Sequence, residues 1–328
     1  MNNARLAFVT GATGAVGLAL VRALIDRGWQ VHALHRASSD TTALQSPGVT
    51  LVEGDIRDTG GIVGKIAPGT DLVFHVAASL SVWSHDDRDT LKTNAEGTRN
   101  VVNAALHAGV GRFVHTSTIS AYGRVDAPIA EDTPSVAEHS FICYERSKWL
   151  AESEVREGIA RGLDAVILNP CAIMGPGFSA GWARLLFQIK AGKLPALPPG
   201  DLVVNHINDV VAAHIAAAEL GRKGENYILG GDPVAVAALI RHAAMHMGVE
   251  LKAPVINARL LGVLARIANG ISRFTGREPD ITPEMAAMMS QHLRCNTDKA
   301  QRELGFQVTP WQQCVEEMYA WLRQREMI

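Results

Sequence analysis

The segment Thr10-Gly11-Ala12-Thr13-Gly14-Ala15-Val16-Gly17 constrains this chain more than any other. It follows a short apolar run, Leu6–Thr10, and opens an amphipathic stretch, Ala15–Arg27, so its glycines sit where a strand turns into a helix. Glycine permits a tight turn and close backbone approach, while the free N–H groups and dipole of the following helix hold a pyrophosphate. The spacing is G-x-x-G-x-x-G rather than the commoner G-x-G-x-x-G. Such turns also occur without ligands, but the strand–helix context favours a nucleotide site built on Gly11, Thr13, Gly14, Ala15, Val16 and Gly17.

The same alternation continues. Leu6–Thr10, Gln30–His35, Val49–Glu53, Leu72–Val76, Phe113–Thr116 and Ala165–Leu168 read as short buried strands. Ala15–Arg27, Thr90–Ala108 and Tyr144–Arg161 read as helices between them. This order predicts an α/β fold, a Rossmann doubly wound parallel sheet covered on both faces. After about Gly175 the pattern turns to loops rich in Gly and Pro, then to mainly helical sequence from Ala235. The expected organisation is a dinucleotide-binding domain over 1–174, with 203–232 returning to it and Gly224–Gly230 as a last strand. Residues 175–202 and 233–328 form a smaller, mainly helical C-terminal substrate lobe.

The chain has 328 residues, of which 47% are hydrophobic and 20% charged, with a net charge of −2. That balance suits a compact globular protein and gives no electrostatic reason to expect nucleic acid. The four cysteines form no C-x-x-C pair, and the histidines form no H-E-x-x-H motif, so neither a disulfide framework nor a metal site is expected. Met1–Arg5 leads straight into the first strand, and no transmembrane run is present, which predicts a cytoplasmic protein. In Val255–Phe274, Arg259, Arg266 and Arg273 make a stripe opposite Leu260, Leu264, Ile267, Ile271 and Phe274. A lobe helix with a solvated arginine face is the expected reading, and a membrane-surface helix is the alternative.

The end of the second strand selects the cofactor. An acid there would hold the ribose 2′-hydroxyl of NAD, but this chain has His35-Arg36-Ala37-Ser38-Ser39. A forked guanidinium and two hydroxyls suit a 2′-phosphate, so Arg36 predicts NADP over NAD unless it is simply a solvated loop residue.

Tyr144 and Lys148 lie four apart on a predicted helix and share a face. A neighbouring ammonium is expected to lower the phenol's pKa, making Tyr144 a proton donor or acceptor near neutral pH. Alone the spacing is weak, and either residue could be a helix surface group.

With these residues in place, the chain resembles the extended short-chain dehydrogenase/reductases of the NAD(P)-dependent epimerase/dehydratase family. The further marks are Gly54-Asp55-Ile56-Arg57-Asp58, His75-Val76-Ala77-Ala78, Asn94-Ala95-Glu96-Gly97-Thr98, Thr116-Ser117-Thr118, Asn169-Pro170 and the C-terminal Asp298–Phe306. Among subfamilies the chain is most similar to dihydroflavonol-reductase-like and 3β-hydroxysteroid-dehydrogenase-like members, with His206-Ile207-Asn208-Asp209-Val210-Val211 resembling their H-V-x-D-V-A segment. The resemblance implies a catalytic trio of Thr118 (Ser117 as runner-up), Tyr144 and Lys148. It implies cofactor contacts from Arg36, Asp55, Ile56, Ala77, Ala78, Lys148, Pro170 and Ile173, and a homodimer through the helices flanking the fifth strand. Asn94 would serve either a proton relay or its own helix. The acid that marks NAD use is absent, and no pyrophosphate-binding arginine stands just before His206, where Val203-Val204-Asn205 is found. Arg184 or Arg222 would have to substitute.

Substrate contacts are expected from Ser79 and Trp83 after the fourth strand, and from Phe178 and Trp182 after the sixth, unless these aromatics are lobe packing. The function expected is an NADP-dependent oxidoreductase interconverting a ketone or aldehyde and its alcohol by hydride transfer, with Tyr144 moving the proton. The rivals are a nucleotide-sugar epimerase or dehydratase with retained NAD(P), and a non-catalytic NAD(P)-binding regulator.

Overall fold

The computed structural model describes residues 5–328, apart from the side chain of Arg273. Met1–Ala4, and the place of Arg273 in an arginine stripe, lie outside the described residues. The chain begins β1 (Leu6–Thr10), α1 (Ala15–Ile25), β2 (Gln30–His35), β3 (Val49–Glu53), α2 (Thr59–Ile62) and β4 (Leu72–His75). It continues α3 (Asp87–Leu91), α4 (Gly97–Ala108), β5 (Arg112–Thr116), α5 (Cys143–Ala160), β6 (Ala165–Pro170), β7 (Ala172–Met174) and α6 (Trp182–Lys190). Then come β8 (Asp201–His206), α7 (Ile207–Leu220), β9 (Asn226–Leu229), β10 (Pro233–Ala235) and α8 (Val236–His246). Helices α9 (Ala258–Thr275), α10 (Pro283–Met288), α11 (Asp298–Leu304) and α12 (Trp311–Gln324) complete it.

Seven strands form one parallel sheet in the order β3-β2-β1-β4-β5-β6-β9. Strands β4 and β6 are buried along their whole length, because helices cover both faces. Helices α1, α7 and α11 close one face, and α2, α4 and α5 the other. The strand order reverses between β1 and β4, which opens a crevice at their carboxyl ends.

Three features differ from the sequence expectation. The predicted helix Thr90–Ala108 is interrupted by a π-helical turn, Lys92–Glu96, between α3 and α4. One extra residue in the turn rotates Asn94 inward, where it is buried. Second, a small sheet ordered β10-β8-β7 underlies the C-terminal lobe, with β7 parallel and β10 antiparallel to β8. Helices α6, α8 and α12 pack on it. The outer strands have three residues each, too few to show a period in sequence.

Third, the apolar stripe of α9 is not turned into the lobe. Leu261, Ala265 and Ser272 face the protein, while Leu260, Leu264, Ile267, Ile271 and Phe274 are exposed. The helix meets the six-residue α10 with Ile256 and Ile281 at the lobe's edge, a cover too narrow for a wide stripe. Among the described residues, no helix is long and apolar enough to cross a membrane.

Candidate active site

Most of the residues singled out above gather at the carboxyl ends of β1, β4, β5 and β6. Strand β1 leads into the glycine turn, in which the Gly14 nitrogen donates to the Gly11 oxygen at 3.0 Å. Gly11 has a φ of +69°, and a Cβ on it would stand 2.7 Å from the Ala77 nitrogen. A Cβ on Gly17 would stand 2.1 Å from the Gly11 oxygen, so both positions demand glycine. Beneath the turn, Thr10 Oγ1 accepts from the Val76 and Ala77 N–H groups at 3.2 Å each. Helix α1 starts at Ala15 with no side-chain cap and no acid in its first turn. Its first N–H groups have no intrahelical partner and, with Thr13 and Gly14 exposed beside them, form an open anion cradle. The cradle fits the pyrophosphate of a dinucleotide.

Arg36, just past β2, is exposed, and its guanidinium takes part in no hydrogen bond or ion pair among the described residues; its carbonyl accepts from the Ser39 nitrogen at 2.9 Å. Asp55, past β3, is clamped by Arg57, whose Nε and terminal nitrogen donate at 3.0 and 2.7 Å. That hydrogen bonding holds the Asp55 carboxyl below its ordinary pKa. The neighbouring Ile56 side chain is buried in the core, and its carbonyl accepts from Asn100 Nδ2 at 2.8 Å. Ala77 and Ala78 are half-buried beside the turn; Pro170 is buried at the end of β6, and Ile173 lies half-buried on β7.

Helix α5 carries Tyr144, Lys148, Glu152 and Arg156 at a constant spacing of four, on one stripe. Thr118 stands past β5 and is buried; its Oγ1 accepts from the Ser120 nitrogen at 3.3 Å. Ser117 turns away, its Oγ donating to Glu152 Oε1 at 2.6 Å. Burial raises the Tyr144 phenol to about 12, opposed by hydrogen bonding to the Thr118 side chain. This corrects the expectation that Lys148 lowers it. Lys148 is itself buried, which lowers its pKa to about 8, with the Glu152 carboxylate pulling the other way. Its Nζ donates to the Thr116 carbonyl at 2.8 Å, so the ammonium runs under the stripe toward β5.

Asn94 is fully engaged: Oδ1 accepts from the Ser79 nitrogen (2.7 Å), and Nδ2 donates to the Ser79 carbonyl and Ser147 Oγ (2.9 Å each). It therefore pins the loop after β4 to α5. Glu152, which belongs to none of the sequence motifs, also accepts from Asn169 Nδ2 at 2.6 Å and Asn226 Nδ2 at 3.1 Å. It ties α5 to the ends of β5, β6 and β9, and the four-residue periodicity running on from Tyr144 was its signal in the sequence.

On the substrate side, Ser79 is half-buried and Trp83 stacks on His85 at 4.6 Å between centroids. Phe178 packs between the main core and the lobe core, and Trp182 packs on the lobe core. His206 caps α7 and lies 3.1 Å from Glu317 on α12, and Asp209 accepts from the Thr309 nitrogen at 2.9 Å, so that segment joins sheet to lobe. Arg184 pairs with Glu278 and Asp280, and Arg222 with Glu303. No group of three or more metal-ligating side chains occurs among the described residues.

Known proteins resemble this chain over most of its length. Residues 7–230 match the model of the NAD dependent epimerase/dehydratase family. The chain is 32% identical to sterol demethylase protein B of Methylococcus capsulatus, over 98% of this chain and 99% of that protein. It is 30% identical to a 2-alkyl-3-oxoalkanoate reductase of Stenotrophomonas maltophilia, over 91% and 93%. The crystal structure of gox2253 superposes with a TM-score of 0.85 at 33% identity, covering 98% of this chain and 99% of that one. The chain belongs to the NAD dependent epimerase/dehydratase family, as an NAD(P)-dependent enzyme of the extended short-chain dehydrogenase/reductase type.

Proposed function

We propose that the protein is an NADP-dependent oxidoreductase that interconverts a ketone or aldehyde and its alcohol. The observation that carries this reading is the neutral Tyr144 phenol beside Thr118, at the strand ends that also bear the glycine cradle. The cofactor, when bound, supplies or accepts the hydride. In the reducing direction Tyr144 Oη gives its proton to the carbonyl oxygen, and the Thr118 hydroxyl donates a hydrogen bond to that oxygen as charge develops. Lys148, steadied by the Thr116 carbonyl, offers its remaining N–H groups to the ribose hydroxyls and its charge to the tyrosinate left behind. The cradle at α1 and the exposed Arg36, with Ser38 and Ser39, hold the phosphates; the free guanidinium supports NADP over NAD. Phe178, Trp182 and Trp83 wall the apolar side of the pocket beside Ser79.

A nucleotide-sugar epimerase would need a cation for the substrate diphosphate. Arg222 is committed to Glu303, and Arg184 to Glu278 and Asp280, which supports a substrate without a diphosphate. The same reading extends to 1–174 as the cofactor domain and to a cytoplasmic homodimer built on α4 and α5, which sedimentation checks. Net NADPH oxidation against a panel of carbonyls tests the activity. Isomerisation of a nucleotide sugar with no net NADPH loss would replace the reading with the epimerase, and cofactor binding without any turnover would leave only a regulator.

A further inference from the structure

Helix α9 shows three faces. Leu261 and Ala265 pack on Ala286, Ile256 and Ile281, with Ser272 buried on the same side. Leu260, Val263, Leu264, Ile267, Ile271 and Phe274 line a second face, roughly 100° wide, that is left uncovered by the described residues. Ile267 is 56% exposed, Ile271 58% and Phe274 94%. Arg259 and Arg266 are exposed on a third face beside it, without an ion pair among the described residues. The helix contains no acid. It is defined by its own ends: Asn257 Oδ1 accepts from the Leu260 nitrogen at 2.9 Å, and Gly276 closes it with a φ of +64°.

We propose that α9 is a membrane-surface helix that seats the protein on an anionic lipid surface. The apolar stripe enters the boundary between headgroups and acyl chains, and Arg259 and Arg266 lie at the level of the lipid phosphates. Charge selects this occupant over a second copy of the chain. A two-fold contact through α9 sets the arginines of one copy near those of the other, with no acid on either helix to offset them. Glu278 and Asp280, the next acids along the chain, are already paired with Arg184 on α6. Those pairs also connect the end of α9 to the helix that Trp182 opens, so the lipid surface adjoins the substrate lobe. Resting on the reductase reading, the substrate class is then a lipid-soluble carbonyl.

The test is flotation of the full chain with vesicles of phosphatidylcholine alone or mixed with phosphatidylglycerol. The chain floats with the anionic vesicles, and Arg259→Gln with Arg266→Gln weakens binding about thirtyfold. Ile267→Glu with Ile271→Glu abolishes it. Failure to float with anionic vesicles, or flotation that survives the two glutamates, overturns the proposal. So does a dimer in sedimentation that Ile271→Glu dissociates while vesicles stay unbound. NADPH-dependent reduction of a water-soluble carbonyl is measured on the same variants and stays unchanged, since all four positions are exposed. Flotation without turnover on any carbonyl would sink the reductase reading and leave the lipid contact standing.

Discussion

The Lys148 ammonium donates to the backbone carbonyl of Thr116 at 2.8 Å, bridging α5 to the end of β5 beneath Tyr144. Burial lowers its pKa from the ordinary 10.5 to about 8, so the charge is present below that value and lost as pH rises through it. If the ammonium holds the nicotinamide ribose, NADP affinity is constant near pH 7 and weakens above about 8. Titration calorimetry across that range checks the trend. Lys148→Met should bind weakly at every pH, and a wild-type profile that stays flat past pH 9 would remove the lysine from the ribose.

Tyr144→Phe keeps the ring and removes only the proton. Turnover should fall by about 10²–10⁴-fold, with NADP affinity changed less than about twofold. Because burial holds the phenol near 12, the wild-type reductase rate should show no loss of this proton between pH 6 and 10. Stopped-flow reduction of a responsive carbonyl reads both, and substantial residual turnover in the phenylalanine variant would dismiss the assignment.

Arg36 stands free at the end of β2, and a guanidinium–phosphate contact is worth about 1.5–3 kcal/mol. Arg36→Ala should therefore weaken NADP by about tenfold to a hundredfold and leave NAD unchanged. Equal affinities of the wild type for the two cofactors would refute the assignment.

How much of this was legible in the sequence follows from what each residue's position depends on. Strands β1, β2 and β3 occupy the spans predicted for them, and β9 falls within Gly224–Gly230. Burial on both faces writes itself as continuous hydrophobicity in β1 and β9, whereas β3 lies at the sheet edge and, against the expectation of a buried strand, has no buried residue. The site residues were legible where a local rule fixes them, as in the glycine turn and the four-residue stripe of α5. The direction of the Lys148 side chain was not, since i,i+4 spacing sets a shared face but not the partner its ammonium finds across it. The π-turn that brings Asn94 to Ser79 and Ser147 was also hidden, because one inserted residue leaves the amphipathic pattern almost intact. On α9 the amphipathic pattern was plain, but which face met protein depended on the width of the neighbouring elements.

His75, His115 and His214 give the protein an acid limit. All three are buried near the middle of the sheet, His75 stacked on His115 with ring centroids 5.3 Å apart. Burial lowers His75 to about 3 and His214 to about 4, and His115 well below its ordinary 6.5, with Lys148 adding to the effect on the first and last of the stacked pair. Above about 6.5 the imidazoles are neutral in both states and contribute no pH dependence. Below it the unfolded chain takes up three protons that the folded chain refuses, so stability falls as pH falls. Each such histidine contributes a slope approaching about 1.4 kcal/mol per pH unit where the unfolded imidazole is protonated and the folded one is not. Among the described residues His115 has no hydrogen-bond partner on either ring nitrogen, unlike His75 with Thr10 and Thr98. Replacing an unpartnered buried polar ring by an apolar side chain of similar size relieves its desolvation cost. His115→Phe should thus raise stability at pH 7 by about 1 kcal/mol and remove about a third of the acid slope. Urea unfolding at pH 5 and pH 7 measures both, and an acid slope unchanged by the substitution would show that this histidine does not set the limit.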